Sequence, residues 1–344
     1  MKIVIDRNIP FVEGVFEPYA KVVYTDSSEI GPDILSDADV LIVRSRTRCD
    51  EALLKGTGVK MISTAGIGID HIDMGYCRKN GIFIQNASGC NSAGVMNYVC
   101  SALFGVAARK SIPLNKATIG IIGSGDSGRQ VERMALSLGL KPLVCDPPRA
   151  VSERNSLFCD LDYLLRNSDI VTLHVPLTDS TRGMAGASFF SKMKLGSIFI
   201  NTARGELVVD DDLLSLIHKF GAVVIDTWNG EPHINKKLMD ASDIATPHIA
   251  GYTYKSKILS TSMSVKAVAR FLGISDLFNF YPSVDSDILE SVRLDVRGMT
   301  QGQIASTIQY NYPIFTDDFM FRLQSDNFEQ LRANYRYRRE FYFD

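Results

Sequence analysis

The stretch KATIGIIGSGDSGRQVERMALSLG constrains the fold more than any other part of the chain. A β-branched run, Thr118 to Ile122, leads into Gly123, Gly125 and Gly128, and a helical pattern closed by Gly139 follows directly. The first glycine permits a sharp turn, the second lets backbone amides approach a pyrophosphate, and the third lets helix and strand pack closely. A lone GxGxxG carries little weight. Here the strand before it and the helix after it supply the context that a dinucleotide-binding βαβ unit requires. Asp126 and Ser127, between the last two glycines, join the candidate cofactor contacts. Asp146 ends the next run, KPLVCD, about 20 residues further on, where a carboxylate accepts the ribose hydroxyls and repels a 2′-phosphate. The expected cofactor is therefore NAD, with Arg149 the one residue placed to favour a phosphate if its loop turned inward.

The same alternation of apolar strands and helical segments extends in both directions. KIVID, ADVLIV, VKMIST and GIFIQ precede the glycines, and DIVTLHVP, SIFINT, AVVIDTW and DIATP follow, separated by segments such as LDYLLRNS and DDDLLSLIHKF. Such alternation predicts parallel sheets with crossover helices. SAGVMNYVCSALFGVAARK and the stretch from Thr253 to Phe271 read as long helices between lobes. Beyond Gly273 the texture changes, with PSVDSDILESVRLD and FEQLRANYRYRREFYFD richer in aromatic and charged residues. The expected division is residues 1–92 with 253–273, residues 93–252 around the nucleotide site, and a terminal domain over 274–344.

At 344 residues, two or three domains are expected. Lys plus Arg number 37 and Asp plus Glu 39, so no global positive charge favours a nucleic acid or a membrane surface, and an anionic ligand must be caught locally. The six cysteines lie far apart with no CxxC pair and no ligand spacing shared with histidine, so no metal site is expected. They fit a reducing compartment, and MKIVIDRNIP lacks the apolar stretch of a signal peptide; a cytoplasmic location is expected.

Three polar residues follow apolar strands in the second half: Arg204 in INTARGELVV, Glu231 in DTWNGEP and His248 in ATPHIAGY. In a doubly wound sheet such positions face the ligand crevice. Singly, each has an ordinary explanation as a turn charge, a surface acid or a hydrogen-bonded core histidine. Together beside a nicotinamide site they point to chemistry.

GSGDSG with Asp146, NTARGELVV, DTWNGEP and TPHIAG together resemble the D-2-hydroxyacid dehydrogenase family, from the N-terminus to roughly residue 272. VRSRT, AGIGIDHID, SGCNS, CDPPRA, TPHIAGYT and the tail are similar to one branch of it, which oxidises a phosphorylated hydroxyacid. The resemblance implies a Rossmann-type NAD domain inserted in a flavodoxin-like substrate lobe, and a small α+β C-terminal domain that pairs two copies into a homodimer. It implies that His248 is the general acid/base, that Glu231 orients it, and that Arg204 binds the substrate carboxylate and C2 oxygen. It also implies that Asp226 lies near the nicotinamide carboxamide and that Gly251 lines the cofactor cleft. Val175 stands where relatives carry threonine, so only a backbone contact is expected there.

For the substrate, Arg44, Arg46 and Arg48 of VRSRTRCD would share one side if the segment stayed extended. The resemblance turns this segment towards substrate binding and adds Ser45 as a contact beside Arg44 and Arg46; arginines of this lobe are expected to bind the phosphate, which of them being open, aided by tail residues such as Arg336, Arg338 or Arg339 from a partner subunit. TAGIGID reads as a backbone nest for a carboxylate, with Gly66 where the branch carries threonine. Tyr252 matches a substrate-contacting position. Two rivals stand beside this reading: a family member acting on phosphoglycerate or on glyoxylate and hydroxypyruvate, and a non-catalytic NAD-sensing corepressor on the same fold.

Overall fold

The computed structural model describes residues 1–153, 158–284 and 290–344, so residues 285–289 of PSVDSDILESVRLD lie outside the description. Contacts divide the chain into two compact units, Met1–Asn91 with Tyr254–Leu289, and Ser92–Thr253 with Glu290–Asp344.

The first unit is built on five parallel strands: β1 (Lys2–Asp6), β2 (Lys21–Thr25), β3 (Val40–Val43), β4 (Met61–Thr64) and β5 (Phe83–Asn86). Their order, β2-β1-β3-β4-β5, is the flavodoxin-like doubly wound arrangement. Both faces are covered, which is why these strands read as continuous apolar runs. Ile3 and Ile5 pack with Val265, Val268 and Ala269 of the helix Tyr254–Leu272. Val4, Leu41 and Val43 pack on the opposite side with Leu35, Leu53 and Cys77. Among these strands only β2, KVVYT, was not read from the sequence. It is an edge strand whose residues are mostly half-buried, so it lacks the strong apolar signal of its neighbours.

The second unit carries β6 (Thr118–Ile122), β7 (Lys141–Cys145), β8 (Ile170–Leu173), β9 (Ile198–Asn201), β10 (Ala222–Ile225) and β11 (Ile244–Ala245). All pair in parallel in the order β11-β10-β9-β8-β6-β7. An isolated parallel bridge from Phe158 to Val144 continues beyond β7, so the sheet keeps a residual strand at the place where a Rossmann sheet has its third. The strand order reverses between β6 and β8, and a doubly wound sheet binds its ligand at the carboxyl ends of the strands beside such a reversal.

A small parallel pair, β12 (Val292–Leu294) and β13 (Phe341–Phe343), and the helices Gln301–Asn311, Ile314–Leu323 and Phe328–Ala333 form the tail. The contacts differ from the three-part division expected from sequence: residues 290–344 group with the nucleotide unit. Leu294, Ile308, Tyr312, Ile314 and Phe341 share one core with Val99, Leu103, Ile119 and Val224. The polar residues of the buried helix Ser92–Arg109 explain the docking. Asn97 donates from Nδ2 to Phe341 O at 2.7 Å and accepts from Phe341 N at 3.1 Å, while Ser101 Oγ donates to Tyr312 O at 2.6 Å. Asp318 Oδ1 accepts the Ala245 amide on edge strand β11 at 2.7 Å, so the tail also satisfies that open edge. No helix among the described residues is long and apolar enough to cross a membrane.

Candidate active site

The glycine turn fits a dinucleotide. Gly123 has φ +89°, and a Cβ there would lie 2.6 Å from His174 O and 2.9 Å from Val175 Cγ1. A Cβ on Gly128 would sit 2.1 Å from Gly123 O, so only glycine allows the helix Asp126–Ser137 to approach its strand. Gly125 differs: nothing lies within 4 Å of its ideal Cβ. It is the N-cap of the helix and makes no side-chain cap, which leaves the first amides of a 12-residue helix for an anion. Asp126 is exposed and Ser127 half-buried in that first turn. Val175 lies beside the turn, its Cγ1 2.9 Å from the ideal Cβ of Gly123.

Asp146 follows β7, and its carboxylate accepts from Ser124 N at 2.7 Å and Arg149 N at 3.1 Å. Two amides thus fix the carboxylate while leaving further lone pairs for ribose hydroxyls. Arg149 is committed elsewhere. It forms a two-pronged pair with Glu153 (2.7 and 2.9 Å), donates to Ser124 O and Oγ, and lies over the Phe158 ring. It is thereby held away from the phosphate-binding alternative.

The candidate reacting groups sit beyond three adjacent strands. Arg204 comes three residues after β9, Glu231 six after β10 and His248 three after β11. Asn201 Nδ2 donates to Arg204 O at 2.8 Å, and a Cβ on Gly205 would lie 1.8 Å from Trp228 C. The Arg204 turn is therefore seated on the segment leading to Glu231. The structure joins Glu231 and His248 directly: Nδ1 lies 2.9 Å from Oε2 and 3.1 Å from Oε1. Glu231 Oε1 also accepts Trp228 N at 2.9 Å, and Trp228 Nε1 donates to Thr246 O at 2.8 Å, fastening the two loops together. Burial alone would raise the Glu231 carboxyl, but His248, Arg332 and the Trp228 amide outweigh it and hold the group below its ordinary value.

His248 has φ +55°, a left-handed conformation that a residue with a Cβ rarely adopts. Asp226 supplies the constraint. Its carbonyl accepts His248 N at 2.7 Å. Its fully buried carboxylate accepts Thr246 Oγ1 at 2.6 Å, Ile249 N at 2.8 Å and Ala250 N at 2.9 Å. With three donors from its own chain, the Asp226 carboxylate shapes the histidine loop. Gly251, with φ +94°, continues that loop and lies against Gly94, whose Cβ would come within 2.8 Å of Gly251 Cα.

The expected substrate side chains divide. VRSRT is not extended: the chain turns after β3, with Thr47 N donating to Arg44 O at 3.4 Å. The shared cationic face therefore does not form. Arg44 is tied to buried Asp6 at 3.0 Å, Arg48 points to Asp50 at 2.8 Å, and Ser45 is exposed at the turn. Gly66 is half-buried, accepts Ala87 N through its carbonyl at 2.9 Å, and has only Thr64 Oγ1, at 3.8 Å, near its ideal Cβ. A Cβ there would make only an ordinary van der Waals contact, so crowding at that atom does not force the departure from the branch pattern. Of the tail arginines named from sequence, Arg338 is paired with Asp317 at 2.6 Å and with Tyr335 Oη at 2.7 Å, over the Tyr312 ring, so it holds the tail together.

The tail residue at the site is one that sequence reasoning missed. Arg332 Nη1 lies 3.8 Å from Glu231 Oε2, and Nη2 donates to Tyr252 Oη at 3.3 Å. The only signal for it was the arginine-rich tail itself, which does not say which arginine turns inward. Among the described residues, no group of three His, Cys, Asp or Glu could hold a metal ion.

Known proteins match this architecture. Residues 104–250 match the family described as D-isomer specific 2-hydroxyacid dehydrogenase, NAD binding domain. Among solved structures, NAD-bound 3-phosphoglycerate dehydrogenase of Entamoeba histolytica superposes with a TM-score of 0.68 at 27% identity, over 80% of this chain and 96% of that one. D-lactate dehydrogenase of Aquifex aeolicus, complexed with NAD and lactic acid, gives 0.69 at 27% identity, over 83% and 100%. NAD is thus the cofactor of this chain. Proteins named erythronate-4-phosphate dehydrogenase match nearly end to end. That of Bacteroides fragilis is 38% identical over 99% of this chain and 97% of its own length. That of Porphyromonas gingivalis is 36% identical over 99% and 94%. The chain belongs to the erythronate-4-phosphate dehydrogenase family of D-2-hydroxyacid dehydrogenases.

Proposed function

We propose that this chain oxidises 4-phospho-D-erythronate to (R)-3-hydroxy-2-oxo-4-phosphooxybutanoate, a step toward pyridoxal 5′-phosphate (vitamin B6). The observation that carries the chemistry is the contact between His248 Nδ1 and Glu231 at 2.9 Å. An ionised carboxylate only accepts, so Nδ1 carries the hydrogen and Nε2 keeps a lone pair. Nε2 removes the proton of the substrate C2 hydroxyl, and the resulting imidazolium is stabilised by Glu231. Bound NAD supplies the acceptor for the hydride that leaves the same carbon. Arg204 binds the substrate carboxylate and the C2 oxygen, where negative charge must be offset as the carbonyl forms. Asp226, by pinning Ile249 and Ala250, keeps the imidazole in place; Ser45, Arg44, Arg46, the Gly66 loop and Tyr252 are the candidate contacts for the remainder of the substrate.

The test is NADH formation across a panel of 4-phospho-D-erythronate, 3-phospho-D-glycerate, D-glycerate and D-lactate. The highest kcat/KM is expected for 4-phospho-D-erythronate. A higher value for another hydroxyacid would reassign the substrate, and absence of turnover with all of them would favour an NAD-sensing role.

The tail is proposed to pair two copies of the chain. Tyr310 is 89% exposed, Phe319 63% and Leu323 65%, and all three lie on the helices Gln301–Asn311 and Ile314–Leu323. The reading places residues 1–92 and 253–273 as the substrate lobe, 93–252 as the NAD domain and 274–344 as the dimerisation region. A cytoplasmic setting suits the six free thiols.

A further inference from the structure

We infer that Arg332, contributed by the tail helix Phe328–Ala333, binds the phosphate of the substrate together with Tyr252. This rests on the proposal above that the substrate is a phosphorylated hydroxyacid. The guanidinium is largely buried, its side chain 13% exposed. It offers five N–H donors. Among the described residues it makes one hydrogen bond, to Tyr252 Oη at 3.3 Å, and its buried Nε has no partner. Glu231 does not satisfy it, because the 3.8 Å separation exceeds hydrogen-bond reach and the carboxylate already serves His248 and Trp228. Aromatic faces hold the cation instead, with Tyr252 and Phe328 rings 5.9 and 5.8 Å from the guanidinium carbon.

A buried cation with more donors than acceptors is costly unless an anion completes it, and a phosphate accepts two parallel N–H groups in the geometry a guanidinium presents. Place follows from chemistry. Arg204 takes the carboxylate at one end of the hydroxyacid and His248 the C2 hydroxyl, so the phosphate lies at the far end. Arg332 is one carboxylate removed from His248 and contacts Tyr252, four residues after it. Tyr252 is enclosed by the tail, edge-to-face with Tyr335 and Tyr337 at 6.1 and 6.4 Å. Arg338, bound to Asp317 and Tyr335, braces that enclosure. The tail thus reaches the site within the same chain and selects the phosphorylated end of the substrate.

The test compares the full-length parent with Arg332→Gln, Arg332→Lys and Tyr252→Phe, using 4-phospho-D-erythronate, unphosphorylated D-erythronate and inorganic phosphate. Thermal unfolding and NAD titration establish that each variant is folded. The parent itself should prefer the phosphorylated acid; if it does not, the substrate reading fails before any variant is considered. Given that preference, Arg332→Gln is expected to lower it about 50-fold, mainly through KM, since charge-assisted hydrogen bonds to a buried anion are lost. Inhibition by inorganic phosphate should weaken in parallel, and Arg332→Lys should restore part of both effects. Tyr252→Phe, which removes one hydroxyl and keeps the ring, should lower the preference roughly 5-fold. Arg332→Gln and Tyr252→Phe that slow both substrates equally, with KM for the phosphorylated acid and phosphate inhibition unchanged, would overturn the assignment and leave Arg332 acting only through Glu231.

Discussion

Asp146, whose carboxylate is held by two backbone donors at 2.7 and 3.1 Å, is the residue proposed to decide cofactor choice. Asp146→Ala is expected to weaken NAD about 30-fold while changing NADP much less, because hydrogen bonds and 2′-phosphate repulsion disappear together. Isothermal titration with both cofactors measures this, and unchanged discrimination would remove Asp146 from the account. Glu231 carries a pH signature. Its pKa is lowered in the folded chain, so the stability it contributes is present above its ordinary value of 4.5 and is lost as pH falls through the folded value. Glu231→Gln should therefore be less stable than the parent at neutral pH, and the gap should close below about pH 4.5. Denaturant unfolding at several pH values checks it; a gap independent of pH would mean the carboxylate's charge plays no part. At this scale sequence reasoning found the Glu231–His248 pair because each follows an apolar strand with an unmistakable residue type. It could not foresee Arg332 or the hydrogen bonds that Asp226 accepts from the histidine loop, since both depend on where the chain folds back on itself.

The strand–turn–helix element around Gly123 separates two kinds of glycine. Gly128 is demanded by packing, for a Cβ would lie 2.1 Å from Gly123 O, whereas Gly125 faces open space at φ −73°. Gly128→Ala is expected to cost about 3 kcal/mol of stability by overpacking. Gly125→Ala should leave the unfolding midpoint near that of the parent and still weaken NAD about 30-fold, because its methyl group occupies the approach of the pyrophosphate. Differential scanning fluorimetry beside NAD titration distinguishes them; equal loss of stability in both would contradict the assignment. The element itself was legible, since strand, glycines and helix are contiguous. VRSRT was not, because a turn held by Asp6 and Thr47 replaced the extended run that alternating arginines suggest. The residual strand at Phe158 was equally hidden, being a single bridge with no periodicity.

At the scale of the molecule, the two parallel sheets were readable from runs of buried strands, but the seat of the tail was not. Asn97 and Ser101 interrupt an otherwise apolar helix, and only in the fold do Phe341 and Tyr312 emerge as their partners. Those contacts show why removing residues after Gly273 would expose the nucleotide unit's own core, so dimerisation is better tested in the whole chain. Phe319→Glu with Leu323→Glu, both on exposed positions of the helix Ile314–Leu323, should convert a dimer to a monomer in sedimentation equilibrium with the unfolding midpoint little changed. A variant that still sediments as a dimer would place the interface elsewhere.

In the proposed mechanism His248, oriented by Glu231, moves the proton of the C2 hydroxyl. The most direct test is NADH formation from 4-phospho-D-erythronate by His248→Asn, with NAD binding measured on the same preparation. Intact NAD affinity with kcat lowered about 1,000-fold or more is the result expected of a lost general base. Turnover within tenfold of the parent would contradict the account.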